Sequence, residues 1–342
     1  MSKITIALAG NPNCGKTTLF NALTGSKQRV GNWPGVTVEH KEGNYTHKNT
    51  DIQVIDLPGI YSFSAYSLDE KVSREFILNE NPDLVVNIVD VTNLERNLYL
   101  TTQLLEMKIP VIVVLNMMDI AKQRKIHLEV KHLATHLDCT VIPMIASKKK
   151  GLDELKDAII KIGDKRKIST TQVQYDSVVE ASIEAIKKET GKIAEEKNID
   201  NRWLAIKLLE MDEIADEITQ NKYQSLVDSE AEKIERHIGD EVDIVVADGR
   251  YGFIHGLARD VIHRHDDTRK TVSDFIDKVA LNRFLGIPIF LGVMYLVFML
   301  TINIGGAFID FFDIFTGTIF VDGLGKVLEN INFPLWLNTF IA

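Results

Sequence analysis

Eight residues near the start of the chain restrict severely what can surround them. Gly10-Asn11-Pro12-Asn13-Cys14-Gly15-Lys16-Thr17 follows the apolar run Ile4 to Ala9 and leads directly into the helix-like Thr18-Leu19-Phe20-Asn21-Ala22-Leu23. This is the pattern GxxxxGK[ST]. It works when a strand delivers the chain, glycines let it curl and a helix begins at once, so that backbone N–H groups and the positive helix end converge on phosphate oxygens. The sequence meets all three conditions. Residues 10 to 18 are therefore expected to hold a nucleotide's phosphates, with Lys16 reaching the β- and γ-phosphates and the Thr17 hydroxyl, next to Thr18, ligating Mg²⁺.

The residues that follow supply the rest of such a site in order. Gly25 to Asn32 has no apolar period and reads as a loop, and Trp33 to Glu39 then enters a strand. A mobile switch belongs here, with Gly35, Val36 and Thr37 at its centre and Thr37 closing on Mg²⁺ and the γ-phosphate. Glu42 to Tyr45 leads through a turn to the strand Ile52 to Ile55, whose end carries Asp56-Leu57-Pro58-Gly59. At a strand end on the phosphate side, Asp56 can hold the metal through water and Gly59 can offer its N–H to the γ-phosphate. Lys16, Thr37 and Gly59 are thus the expected catalytic positions. Ile60 stands where related enzymes place a water-orienting glutamine, and a hydrocarbon side chain cannot do that work.

Helix (68–78), strand (84–89), helix (94–106) and strand (111–115) alternate next, the strands being apolar runs of the kind buried on both faces of a parallel sheet. The last runs into Asn116-Met117-Met118-Asp119, an NxxD pattern. Asp119 can accept two hydrogen bonds from the N1–H and exocyclic amine of guanine, a donor pair that adenine lacks. A strand at 141–145 ends in Ala146-Ser147-Lys148, whose backbone N–H groups are expected to meet the guanine O6, and Gly151 to Leu155 opens a helix reaching about Ile162. Residues 1–165 therefore read as a GTP-binding α/β P-loop GTPase domain, a parallel-rich sheet flanked by helices.

From 166 to 267 helical patterning replaces the strands, which suggests a small all-α domain. His132 with His136, and His263-Arg264-His265-Asp266-Asp267, each lack a full ligand set and read as surface histidines rather than metal sites. A juxtamembrane linker is expected at 268–283. After Arg283 no charge appears until Asp310, and residues 284–304 are apolar for long enough to cross a bilayer. Arg264, Arg269, Lys270, Lys278 and Arg283 precede this run, which puts the N-terminal side in the cytoplasm. Residues 305–342, rich in aromatics, read as the start of a truncated membrane domain. The net charge of −9 and the lack of a dense basic block speak against nucleic acid as a partner. The two cysteines form no zinc or disulfide spacing, and no cleavable leader is expected before the first strand.

Three stretches carry a family resemblance: Val30-Gly31-Asn32-Trp33-Pro34-Gly35-Val36-Thr37-Val38-Glu39, Thr92 to Leu100, and Leu281-Asn282-Arg283-Phe284-Leu285-Gly286-Ile287-Pro288-Ile289-Phe290. In these the chain resembles the FeoB-type ferrous-iron transporters, polytopic membrane proteins with a cytosolic G domain. The resemblance implies GTP hydrolysis with Mg²⁺ at Thr17, Thr37 and Asp56, expected to be slow because Ile60 lacks the water-orienting amide, and stimulation by K⁺ held at Asn13 with help from the backbone around Asn32 and Trp33. Cys14 replaces a serine common in the family. The resemblance further implies Fe²⁺ as cargo of the full-length protein, a place in the cell inner membrane, and the lipid bilayer, further copies of the chain and small accessory proteins as partners. The rival readings are a membrane-anchored regulatory GTPase and a soluble GTPase of RNA or ribosome maturation.

Overall fold

The computed structural model describes residues 3–25, 28–33, 36–64, 67–163, 165–264 and 286–323, with residues 326 and 330. Strand β1 (Lys3–Gly10) is the middle of a seven-stranded sheet. The others are β2 (Gln28–Asn32), β3 (Glu39–His47), β4 (Thr50–Asp56), β5 (Leu84–Asp90), β6 (Val111–Asn116) and β8 (Thr140–Pro143), in the order β2-β3-β4-β1-β5-β6-β8. Strands β4, β1, β5, β6 and β8 run parallel, while β2 and β3 extend one edge antiparallel. The small strand β7 (Ile126–Leu128) pairs separately with β9 (Ile262–Arg264).

Two-residue periodicity builds the core on both faces of this sheet. Along β1, Ile4, Ile6 and Leu8 enter one cluster, packed with Leu19 and Phe20 of helix α1 (Lys16–Thr24) and Leu155 and Ile159 of α6 (Leu152–Gly163). Ala7 and Ala9 face the other way, into a second cluster with α2 (Leu68–Glu80) and α3 (Leu94–Glu106). Short helices α4 (Met118–Gln123) and α5 (Val130–Leu137) link β6 to β7 and β7 to β8.

The second cluster does not stop at the sheet's own helices. It continues into α7 (Ser177–Glu196), α8 (Asn201–Leu209), α9 (Glu213–Thr219), α10 (Gln224–Ile238) and α11 (Val242–Val261), through residues such as Val179, Trp203 and Val246. Met1–His265 accordingly forms one compact unit. A buried ion network crosses the same boundary. Arg250 of α11, 1% exposed, bonds Glu106 of α3 at 3.0 Å and Glu210 at 2.5 Å, and Lys207 bonds Glu210 at 2.8 Å. Such a network needs every charge answered, because an unpaired ion in the interior costs several kcal/mol.

Three expected elements fall differently. Residues 28–32, read as loop, form β2. Strand β2 is the edge strand, exposed along most of its length and held by its pairing with β3, so no apolar alternation is required of it, while β3 runs on to the turn expected before β4. The reversal comes at Lys48 and Asn49, both at positive φ. The strand expected to begin near Trp33 starts only at Glu39. The last sheet strand ends at Pro143, and Ile145 bridges to Lys150 instead.

The second unit is Asp266–Ala342. Its helix α12 (Gly286–Thr316) continues past the expected end at residue 304, with Pro288 accommodated in its first turn. Within the apolar stretch Gly286–Ile319 an 18-residue window reaches a mean hydropathy of 2.2, and none of that window is buried in protein. At about 1.5 Å per residue the whole stretch exceeds the roughly 30 Å of a bilayer's hydrocarbon core. The linker at 268–283 and residues 284 and 285 lie outside the described residues, as do Pro34 and Gly35 of the switch.

Candidate functional site

Parallel pairing brings the motif-bearing strand ends to one edge. Leu8 stands opposite Asp56, Gly10 opposite Ile88, and Asp90 opposite Asn116. The loop after β1 turns through Asn13 (φ 64°) and Gly15 (φ 94°), and Gly15 then accepts from Leu19 N–H at 3.0 Å as α1 begins. A side chain at Gly15 is excluded twice. The φ is left-handed, and a Cβ there would stand 2.2 Å from Asn116 Nδ2. Gly59 needs its smallness for a different reason: a Cβ would press on the Pro12 backbone at 3.3 Å.

A cleft of about 550 Å³ opens over this edge. Lys16, Thr17, Thr37, Asp56, Leu57, Pro58 and Gly59 line it, joined by Lys41 and Asp69. The expected Mg²⁺ ligands Thr17, Thr37 and Asp56 therefore share one cavity with the expected phosphate lysine. Lys16 Nζ reaches Asp56 Oδ1 at 2.5 Å. Burial pushes the Asp56 carboxyl above its ordinary range, and Lys16 pulls it back toward the charged form. Thr17, Thr18 and Thr37 are exposed, and the half-buried Val36 precedes Thr37. Asn13 is exposed on the loop. Cys14 is buried, and burial pushes its thiol up to about 11, so it is an inert packing group.

The base-reading residues are placed with one revision. Asn116 does not face outward. Its Nδ2 donates to Cys14 O at 2.8 Å and its Oδ1 accepts from Ala146 N–H at 3.0 Å, so one amide ties the phosphate loop to the loop after β8. The Ala146 N–H, expected to meet a base oxygen, is held by Asn116, and Lys148 N–H donates to Ile145 O, which leaves the Ser147 N–H for that task. Met117 adopts φ 64° and caps α4, beside half-buried Met118. Asp119 is partly exposed and bonds Lys148 Nζ at 2.8 Å, which holds its carboxyl below the usual range. Lys148 is largely exposed and can release it.

Several features were not legible from motifs. Ile60 is buried at 2% exposure in the core, and its N–H donates to Gly10 O at 3.2 Å. Its side chain is packed in the core and does not line the cleft. Tyr61 lies under the Arg96 guanidinium at 4.2 Å, and Asn11 Nδ2 reaches Arg96 O at 3.5 Å, so α3 braces both the phosphate loop and the segment after Gly59. The run Thr92 to Leu100, read only as a family signature, was the available signal for that brace.

This sheet, loop and cleft define a P-loop GTPase-type G domain joined to a helical domain. Residues 4–159 match the family model for ferrous iron transport protein B, and residues 175–263 match that for the FeoB cytosolic helical domain. The chain belongs to the FeoB family. It is 42% identical over 354 residues to the Fe(2+) transporter FeoB of Salmonella typhimurium, and 42% identical over 346 residues to that of Escherichia coli K12. All of this chain is covered in both alignments, and it spans 44% of the length of these curated relatives. Among solved structures, a GDP-bound mutant of S. thermophilus NFeoB aligns with TM-score 0.70 at 39% identity, covering 75% of this chain and 99% of that one. The cytosolic domain of L. pneumophila FeoB aligns with TM-score 0.67 at 36% identity, covering 76% and 99%.

Proposed function

We propose that this chain binds GTP in the cleft over the sheet edge and hydrolyses it to GDP and phosphate, as the cytosolic module of a membrane protein that takes up Fe²⁺. One observation carries the nucleotide reading: Lys16, Thr17, Thr37, Asp56 and Gly59, scattered over the first sixty residues, line a single cleft. Residues 10 to 18 cradle the phosphates, Gly35 to Thr37 and Asp56 to Gly59 act as switches, and Asn116 to Asp119 with Ala146 to Lys148 frame the base. Thr17, Thr37 and Asp56 offer the hard oxygen donors that suit Mg²⁺, which would neutralise charge on the phosphates. Asn13, exposed on the loop, is the proposed K⁺ contact. Water attacks the γ-phosphorus, the bond to the β–γ bridging oxygen breaks, and GDP leaves.

Turnover is slow, on the order of 10⁻⁴ to 10⁻² per second, because the position after Gly59 is folded into the core and supplies no amide to the attacking water. The Fe²⁺ assignment rests on the relatives' names and on family membership. Helix α12 is proposed to cross the membrane with the GTPase on the cytosolic side. The test measures phosphate release by the 342-residue chain in K⁺ and in Na⁺, beside Lys16→Ala and Asn13→Ala. GTP hydrolysis lost in Lys16→Ala, and K⁺ stimulation lost in Asn13→Ala, are expected. Equal rates in K⁺ and Na⁺ for the native chain would remove the K⁺ role, and unchanged hydrolysis in Lys16→Ala would remove the site.

A further inference from the structure

A histidine pair that is incomplete as a metal site in the sequence gains a remote carboxylate in the fold. The β7–β9 ladder sets His127 opposite His263, and Glu129 N–H donates to Val261 O at 2.9 Å, so the end of α11 lies against the start of α5. On α5, His132 and His136 are one turn apart with their Nε2 atoms 3.0 Å from each other. Asp260 of α11 brings Oδ2 to 3.8 Å from His136 Nε2. Behind His132, Glu129 places Oε2 3.8 Å from Nδ1, and its Oε1 is 2.9 Å from His263 Nε2.

We propose that His132, His136 and Asp260 form a site for one divalent transition-metal cation, with Glu129 as the carboxylate that orients His132. Two imidazole nitrogens each about 2.0–2.1 Å from a common ion lie about 3 Å apart, which is the separation already present. Among the described residues no three such side chains yet surround a single point, so the third ligand must move. Asp260 is 57% exposed and free to turn toward His136. Glu129 Oε2, 3.8 Å from His132 Nδ1, lies just beyond hydrogen-bond reach, and a small movement would bring it to the arrangement by which metal-ligating imidazoles are usually fixed, with one ring nitrogen on the ion and the other on a carboxylate. Two imidazoles and one carboxylate favour Fe²⁺, Co²⁺, Ni²⁺ or Zn²⁺ over Mg²⁺ and Ca²⁺, which prefer all-oxygen sites. Bound there, the ion would cross-link α5 to the last turn of α11. The site shares no residue with the nucleotide cleft and stands independently of the GTPase reading.

The test uses the 342-residue chain in detergent, stripped with a chelator. Co²⁺ is titrated against its visible absorption, and Zn²⁺ and anaerobic Fe²⁺ are titrated by calorimetry. One equivalent bound in the micromolar range, unaffected by excess Mg²⁺, is expected, and Lys16→Ala should bind equally well. His136→Ala and Asp260→Asn should each weaken binding at least about tenfold, and Glu129→Gln by about tenfold. Circular dichroism confirms that these exposed variants fold. No cation bound at about 100 µM, or an unchanged affinity when both histidines are alanine, overturns the site. Loss in the histidine variants with Asp260→Asn unaffected overturns the three-residue assignment and leaves a bare imidazole pair.

Discussion

Asn116 at the end of β6 and Asp119 in the first turn of α4 stand three residues apart and do different physical work. Asn116 uses both ends of its amide on the protein, so Asn116→Ala strands the buried Cys14 carbonyl and Ala146 N–H together. Each unmade buried bond costs about 1–3 kcal/mol. Asn116→Ala is expected to lower the urea midpoint and to weaken GDP at the same time, whereas a purely base-reading residue would leave stability unchanged. Asp119 is tied only to the flexible Lys148 and to its neighbour's N–H, and is free to accept from a base. Asp119→Asn replaces an acceptor by a donor and should turn preference from guanine to xanthine nucleotides, with little change in melting temperature. Equal binding of ATP and GTP by the native chain in calorimetry would contradict this role.

Helix α2 shows how an element is fixed from outside its own domain. Its Arg74, fully buried, donates to Phe63 O at 2.9 Å and pairs with Asp212 at the start of α9, while Phe63 N–H donates to Gln103 Oε1 at 2.8 Å. The segment after Gly59 is therefore clasped by α2, α3 and the helical domain. Asp212→Ala leaves the Arg74 charge uncompensated and should cost about 3–5 kcal/mol in equilibrium unfolding. A smaller loss than about 1 kcal/mol would show that other groups neutralise Arg74. Glu210, between Lys207 and Arg250, gives a pH signature. Burial opposes its ionisation, but the two cations overcome that and hold its carboxyl at about 2, below an ordinary value of 4.5. A depressed folded-state pKa means that its stabilisation is complete above about 4.5 and is lost as pH falls toward about 2. Chemical unfolding should show Glu210→Gln clearly weaker than native at neutral pH, with the difference shrinking through that window.

At the scale of the whole molecule two solvents are written into one chain. Met1–His265 closes its own apolar core, and Gly286–Ile319 leaves its apolar surface wholly uncovered. Residues 1–265 alone should stay soluble without detergent and bind GDP as tightly as the full chain, whereas residues 1–342 should sediment with membranes. Gel filtration and a flotation assay check this. Aggregation of the shorter chain would show that its core is incomplete. The sequence by itself determined the phosphate loop, the strand–helix alternation, the ends that carry Asp56 and Asp119, and the apolar helix, because each is a local pattern set by backbone geometry or by residue spacing. It misread β2, whose exposed edge residues carry no periodicity and become a strand only by pairing. It could not show that Asn116 faces inward, that Ile60 is core, or that the helical domain shares the sheet's core. Nor could it show that Asp260 comes to lie beside His136, more than a hundred residues earlier in the chain. These depend on contacts between distant segments, and only the tertiary structure, where burial and pairing are decided jointly, sets them.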